Sequence, residues 1–356
     1  MRKEGIMMKG TKLLLLSAAI FTGSLFSYLQ IPAGWLLGGL VTGVTCGMAY
    51  RRLVFDGWPF RTILALIGCN IGFMMEPGIF ALLGQYIFPL ILTLSLTMAL
   101  GVGLGWLMNR WTDLDPLTAY FCCVPGGASE VIGLSSDYGA DNRMVAAFHT
   151  TRITLFVLTI PIFIGLTTTA DIGSMGSAGP AMSEVSPVVM GVFGICVAVT
   201  VLLYYLYKVP AGTLFYGLII GFVAGHWVVT TAHGLPSVIG GAGQALLGAM
   251  VGIRFDRPTF YKLKEIGRPS AVLLGFYFIF SLLLALLFHA ATSLPYVTSL
   301  LSTVPAGAAE MSSTAIALDL EPTLVSSLHI IRVLVLFICL PFFVRLLQKL
   351  IQKQSA

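Results

Sequence analysis

The sequence predicts an all-α polytopic membrane protein of two inverted-topology repeats, each with about five transmembrane helices and a broken or re-entrant Pro-Gly segment. Three observations predict this fold. Hydrophobic residues make up 57% of the chain and charged residues only 10%, whereas a soluble domain carries about 25% charged residues. Apolar runs of about 20 residues recur along the whole length. Finally, distinctive motifs occur twice. We therefore expect a single membrane domain over residues 1–356.

The apolar runs define ten candidate membrane spans. The N-terminal run has a basic start like a signal peptide, but a matching run occurs later, so we expect it to remain as a helix of the fold. The longest polar gap has the composition of a flexible connector. It divides the chain into repeat 1 (12–168), a linker (169–185) and repeat 2 (186–348). The candidate spans are roughly 12–29, 33–50, 62–81, 86–108, 144–168, 186–206, 210–229, 240–253, 269–290 and 322–348.

The internal duplication rests on helix-breaking and polar residues, which general hydrophobicity would not align. Sequence pairs recur at an offset of 178 to 180 residues, and such periodicity indicates a repeated architecture. The pairs are QIPAGWLLGGLVTG (30–43) with KVPAGTLFYGLIIG (208–221), IGCNIG (67–72) with LGAMVG (247–252), VPGGASE (124–130) with VPAGAAE (304–310), and HTTR (149–152) with HIIR (329–332).

The distribution of basic residues favours an inverted arrangement. If the Pro-Gly segment crossed the membrane, each half would have six spans and the halves would be parallel. If it enters and leaves on one side, each half has five spans and the second is inverted. In the five-span arrangement every Lys and Arg except Arg152 and Arg332 lies on the cytoplasmic side, as the positive-inside rule requires. We therefore expect a bacterial cell (inner) membrane protein with both termini in the cytoplasm.

The two Pro-Gly segments are the predicted binding region. Irregular backbone at membrane depth is tolerated only where protein or a water-filled cavity satisfies its polar groups. Two such segments entering from opposite faces are typical of a secondary-transporter site near the midplane. We expect a helical piece to begin near Ala128, with free N–H groups that favour anions. The candidate residues are Pro125, Gly126, Gly127, Ser129 and Glu130 in the first copy and Pro305, Gly307 and Glu310 in the second.

Glu130 and Glu310 close the two motifs. A carboxylate at membrane depth is costly and is by default a functional hypothesis. Such a group can take up a proton or ligate a cation. The alternative is that it only caps the short helix or pairs with an arginine.

His149 with Arg152, and His329 with Arg332, are spaced i, i+3 and so share one helix face. Two interpretations stay open. The arginines form a structural clamp with Glu130 and Glu310, or they receive an anionic substrate while the histidines help to carry the proton.

Asn70 is a further candidate binding residue. Its role would be confined to the first half, because the matching residue in the second half is Met250. The glycines around it, Gly68 and Gly72, recur as Gly248 and Gly252 and predict close helix approach. The six cysteines lie in apolar segments without C-x-x-C spacing, which indicates small buried hydrophobes.

The paired IPAGWLLGG/VPAGTLFYG, VPGGASE/VPAGAAE and HTTR/HIIR motifs resemble the AbrB-type family of duplicated bacterial membrane proteins. Members have been labelled ammonia monooxygenase and transcriptional regulator. The resemblance implies an integral membrane protein with a link to regulation of gene expression. More distantly, PGGASE is similar to the PGG…SN element of bile-acid-type sodium symporters. Glu130 stands where that element has Asn, which favours proton over sodium coupling.

These observations predict a secondary transporter of a small, anionic solute, proton- or cation-coupled, working by alternating access. The alternative is a membrane sensor with an indirect effect on gene expression. A membrane monooxygenase is more remote, because it needs clustered metal ligands. We expect no enzyme activity, cofactor or metal. The expected partners are a small solute and the lipid bilayer, with a second copy of the chain as a further candidate. The net charge of +5 sits at helix ends, so we expect no direct nucleic-acid binding.

Overall fold

The structure is a computed structural model that describes residues 2–49, 55, 57–126, 128–167, 185–209, 211–229 and 236–354. Over these ranges the chain forms fourteen α-helices and no strand. Nearly all of the predicted linker lies outside the described residues. The helices are α1 (Arg2–Tyr28), α2 (Gly34–Ala49), α3 (Trp58–Phe73), α4 (Ile79–Trp111), α5 (Pro116–Cys123), α6 (Ala128–Asp137), α7 (Asn142–Thr167), α8 (Pro187–Leu206), α9 (Gly212–Val223, continued by a π-helical turn Ala224–Val228), α10 (Ser237–Gly252), α11 (Arg257–Thr292), α12 (Tyr296–Thr303), α13 (Ala308–Ala317) and α14 (Pro322–Gln354).

Five helices contain stretches that are long and apolar enough to cross a bilayer, so the chain is a membrane protein. Others are shorter: α2 and α10 have 16 residues each, about 24 Å of helix against a hydrocarbon core of about 30 Å. Of the ten candidate spans, five are therefore confirmed by this criterion among the described residues. The five stretches are Thr11–Tyr28, Leu83–Trp111, Asn142–Thr167, Pro187–Leu206 and Arg257–Thr292.

One predicted span has the wrong boundaries. The run 62–81 was expected to be continuous, but α3 ends at Phe73 and α4 begins at Ile79. The sequence between them contains Glu76, Pro77 and Gly78. Proline lacks a backbone N–H donor and glycine has a high conformational entropy, so both favour a helix end there.

Glycines bring helices of the two halves into backbone contact. On α2, a β-carbon added at Gly39 or Gly43 would meet the carbonyl oxygen of Ala245 or Ala249 on α10. On α10, a β-carbon at Gly248 would meet the Leu36 carbonyl oxygen of α2. Small residues on both helices permit this short distance between their backbones, so the predicted close approach is confirmed.

The same type of crossing joins α3 and α9. A β-carbon at Gly68 or Gly72 of α3 would meet the carbonyl oxygens of Leu214 and Leu218, and one at Gly221 of α9 would meet that of Cys69. Each of these crossings therefore joins a helix from the N-terminal half to one from the C-terminal half.

Both Pro-Gly motifs separate two short helices. The first break lies between α5 and α6, and the second between α12 and α13. Helix α6 begins at Ala128, where the sequence predicted a new helical piece. The Asp115 carboxylate caps α5 by accepting a hydrogen bond from the Thr118 backbone N–H at 2.9 Å, which satisfies one of the unpaired donors of its first turn.

Long helices enclose the short ones. Helix α4 packs on α5 and also on α14, and α11 packs on α12 and also on α7. The two breaks thus lie inside the helical bundle, with α7 and α14 carrying the His-x-x-Arg motifs next to them.

Candidate functional site

A cavity of about 250 Å³ lies between the two helix breaks. Both Pro-Gly motifs reach it, although they are separated by about 180 residues in the sequence. Seven of the predicted site residues line it: Pro125, Gly126, Arg152, Pro305, Gly307, Glu310 and Arg332.

The other predicted residues have different positions. His149 and His329 are fully buried, and each contacts the arginine three residues further on. Asn70 is buried on α3 and is not among the described residues that line the cavity. Gly127 lies outside the described residues, and for Ser129 and Glu130 the described part is the helical backbone alone.

The two histidines have the same hydrogen-bond pattern. His149 Nε2 lies 2.9 Å from the Phe121 carbonyl oxygen, and His329 Nε2 makes the same contact with the Leu301 carbonyl at 2.6 Å. A carbonyl can only accept, so Nε2 carries the proton and Nδ1 is the acceptor of the neutral ring. The Nδ1 atoms accept from Arg152 at 3.1 Å and from Arg332 at 2.8 Å. Since both ring nitrogens are engaged, this geometry favours a positioning role over proton transfer.

Arg332 is hydrogen bonded to the backbone of the second helix break. Its Nη1 donates to the carbonyl oxygens of Thr303 at 3.2 Å and Val304 at 2.7 Å, and its Nη2 donates to that of Ala306 at 3.0 Å. These are carbonyls at the end of α12 and in the Pro-Ala-Gly break, which no helix hydrogen bond can satisfy. Among the described side chains, no carboxylate lies within ion-pair distance of Arg332. Arg332 therefore forms no clamp with Glu310, one of the two interpretations left open by the sequence, and bonds to backbone carbonyls instead.

Arg152 occupies the matching position in the first half but is not engaged in this way. Its Nη2 is hydrogen bonded to His149, Nε and Nη1 have no partner within normal hydrogen-bond geometry, and the Tyr277 hydroxyl interacts with the same guanidinium. The side chain is 1% exposed, and its Cζ lies 5.3 Å from the ring centroid of Tyr277. A buried, unsatisfied guanidinium is costly. An anion in the cavity is the kind of ligand that would satisfy it.

Glu310 is 8% exposed and lies at the start of α13. Its carboxylate folds back over Gly307, where an added β-carbon would meet Oε2. A carboxylate near a helix N-terminus is stabilised by the helix dipole and free N–H groups. The carboxylate thus lies both at the start of α13 and in the cavity wall, and the capping and coupling interpretations of Glu310 both stay predictions.

The most exposed part of the cavity lining, here called the mouth, is cationic and aromatic, and sequence reasoning missed it: Arg254 is exposed, and Phe60, Arg61 and Tyr204 are half-buried. Arg61 Cζ lies 4.1 Å from the ring centroid of Tyr204, and Arg254 Cζ lies 4.6 Å from that of Phe60. All four residues line the cavity. From the sequence, Arg61 and Arg254 indicate only the orientation of the chain in the membrane, because they belong to no repeated motif.

No group of three His, Cys, Asp or Glu side chains that could hold a metal ion occurs in the part of the chain that the structure describes. The charged residues of the described cavity lining are four arginines and Glu310, and most of the other lining residues are apolar.

Comparison with known proteins places this architecture in a family. A family model described as "Transition state regulatory protein AbrB" matches residues 35–348. The chain is 26% identical to "Uncharacterized protein YhjN" of Bacillus subtilis (strain 168), covering 98% of this chain and 96% of that protein. It is 24% identical to "Putative regulator AbrB" of Escherichia coli (strain K12), covering 93% and 94% respectively. No solved structure matches the chain. The family match spans most of the sequence, and the chain belongs to the AbrB family of membrane proteins.

Proposed function

We propose that the protein is a secondary transporter that moves a small anionic solute by alternating access. The observation that carries this proposal is the cavity in which both helix breaks meet, with the unsatisfied guanidinium of Arg152 in its wall. Discontinuous helices facing a shared cavity are the arrangement that secondary transporters use to bind solutes.

The proposed architecture is two inverted halves of about five spans, with the short helices as re-entrant pieces. Helices α5 and α12 begin at residues 116 and 296, and α6 and α13 at 128 and 308, an offset of 180 in both cases. With 8 and 10 residues, α5 and α6 extend about 12 and 15 Å, too little to cross a bilayer singly. The reciprocal packing of α4 on α14 and α11 on α7 also supports this arrangement.

We further propose that the structure represents an inward-open state of a cell-membrane protein. The mouth contains Arg61 and Arg254, which the positive-inside rule assigns to the cytoplasm together with both chain termini. Cations at the mouth would attract an anionic solute from the cytoplasmic solution.

Glu310 is the proposed coupling group of the second half. Its carboxylate is buried in the cavity wall and interacts electrostatically with Arg254 at the mouth. Uptake of a proton would remove that interaction, so coupling can act through the mouth rather than through the histidines.

Purified protein in liposomes tests transport. We expect saturable flux or counterflow of at least one member of a panel of small organic anions. Arg152→Gln should reduce this flux at least tenfold, because it removes the proposed anion receptor. Arg110→Gln is the matched control: Arg110 lies in the last turn of α4, beside Trp106 and outside the cavity lining. No flux with any anion, or equal flux for both variants, would contradict the proposal.

A membrane sensor is the second candidate function. The name of the Escherichia coli relative, "Putative regulator AbrB", favours it. A sensor would bind its ligand in the same cavity and change gene expression indirectly. A deletion strain with altered transcription but unaltered solute uptake and export would support this alternative over transport.

A further inference from the structure

We propose that the solute is a small monocarboxylate with an apolar body, whose carboxylate binds Arg152 while Arg332 remains bonded to the second break. This inference rests on the proposed function, in which the cavity binds the solute, and it specifies the chemical class of that solute.

The number of free donors indicates a single anionic group. Arg332 is already bonded to three backbone carbonyls and to His329. The N-terminus of α13 is covered by the Glu310 carboxylate. Arg152 therefore remains, with N–H groups on Nε and Nη1 that have no partner within normal hydrogen-bond geometry, although the Tyr277 hydroxyl interacts with the same guanidinium. One planar carboxylate matches one guanidinium group.

A phosphate or a second carboxylate would need further donors deep in the cavity. Thr97 lines the cavity, but its hydroxyl proton is already donated to the Thr93 carbonyl at 2.6 Å. It is therefore not available as a donor to a ligand. The remaining cations, Arg61 and Arg254, are stacked on aromatic rings at the mouth. Arg152 is thus the fully buried cation of the described lining that has unpaired N–H groups, which fits a singly charged acid.

The apolar walls of the cavity indicate what the uncharged part of the solute is like. Besides its charged residues, the cavity lining includes the apolar side chains of Leu64, Ile153, Leu214, Val333 and Leu336. Apolar walls of this kind favour a hydrocarbon body, at about 25 cal/mol per Å² of apolar surface removed from water. The volume of about 250 Å³ is below the range of roughly 300–1,000 Å³ of pockets for drug-sized ligands. The solute is therefore a small acid rather than a long-chain lipid.

Ligand binding to the full chain in detergent tests this inference. Isothermal titration should show that hexanoate binds at least tenfold more tightly than hexanamide, which has the same shape without the charge. Hexanoate should also bind more tightly than adipate, pentylphosphonate and inorganic phosphate. Arg152→Gln should reduce hexanoate affinity at least tenfold and leave hexanamide unchanged, whereas Arg110→Gln should change neither.

A cavity-narrowing variant tests the site without touching the arginine. Leu64→Trp should shift the preference from hexanoate towards propanoate, because it fills the space of the apolar body. Equal binding of hexanoate and hexanamide, tighter binding of adipate or phosphate, or an unchanged chain-length preference in Leu64→Trp would each overturn the inference. These outcomes differ from failure of the transport proposal, which would appear as tight carboxylate binding without flux.

Discussion

Replacing Gly39 by valine is expected to prevent stable packing of the two halves. Gly39 lies where α2 meets α10, and an added β-carbon would meet the Ala245 carbonyl oxygen, a backbone atom that cannot rotate away. Gly43, one turn further, faces Ala249 in the same manner. Overpacking a tight contact costs about 1–3 kcal/mol and sometimes more. Because the helices cannot separate without disturbing both halves, we expect a loss of about 3 kcal/mol or more, measured by thermal unfolding in detergent.

Gly103→Ala is the matched control. Gly103 lies within α4, is exposed, and has nothing within 4 Å of an added β-carbon. Alanine has the better helix propensity by about 1 kcal/mol, so this variant should be as stable as the parent or more stable. Equal unfolding temperatures for the Gly39 and Gly103 variants would contradict the proposed role of glycine at the crossing.

Arg332→Gln is expected to destabilise the fold much more than Arg152→Gln. Arg332 donates to the carbonyls of Thr303, Val304 and Ala306, and glutamine cannot reach all three. Because the Val304 carbonyl also accepts from the Ala306 backbone N–H, the Thr303 and Ala306 carbonyls are the ones that lose their partner. Leaving buried polar groups unsatisfied costs about 1–3 kcal/mol each, so we expect a loss of about 3 kcal/mol. Arg152 donates to His149, but its replacement also removes the burial cost of the unsatisfied Nε and Nη1, so we expect a loss of at most about 1 kcal/mol.

The two arginine variants serve as mutual controls, because they occupy the same place in each half. Unfolding in detergent gives the stability difference, and titration with hexanoate gives the binding difference. We expect the stability loss in one variant and the affinity loss in the other. Equal stability losses would refute the distinction between a structural Arg332 and a ligand-binding Arg152.

Much of the helical architecture could be predicted from residues whose physical requirements are local. The repeated glycines of α3 and α10 predicted close helix approach, which the structure shows with α9 and α2 as the partners. The Pro-Gly motif predicted the start of α6. The motif residues Pro125, Pro305, Arg152 and Arg332 proved to line one cavity. These features follow from backbone freedom and from the cost of charge at membrane depth.

Other features depend on tertiary packing and could not be predicted. The motifs His149–Arg152 and His329–Arg332 have the same spacing, yet only Arg332 bonds to the adjacent break. One helix end was misplaced, at Phe73, because hydrophobicity alone does not locate helix ends. The mouth pairs of Arg61 with Tyr204 and Arg254 with Phe60 join residues far apart in sequence, and no spacing pattern signals them.

Alternating access is the central claim, and cysteine labelling from each side of the membrane tests it without knowledge of the solute. Ile153 and Val333 line the cavity at matched positions next to the two arginines. With the six native cysteines replaced, Ile153→Cys and Val333→Cys should each react with a membrane-impermeant thiol reagent in both inside-out and right-side-out vesicles. Labelling should be faster from the cytoplasmic side. Labelling of both positions from one side only, under all ligand conditions, would contradict the account.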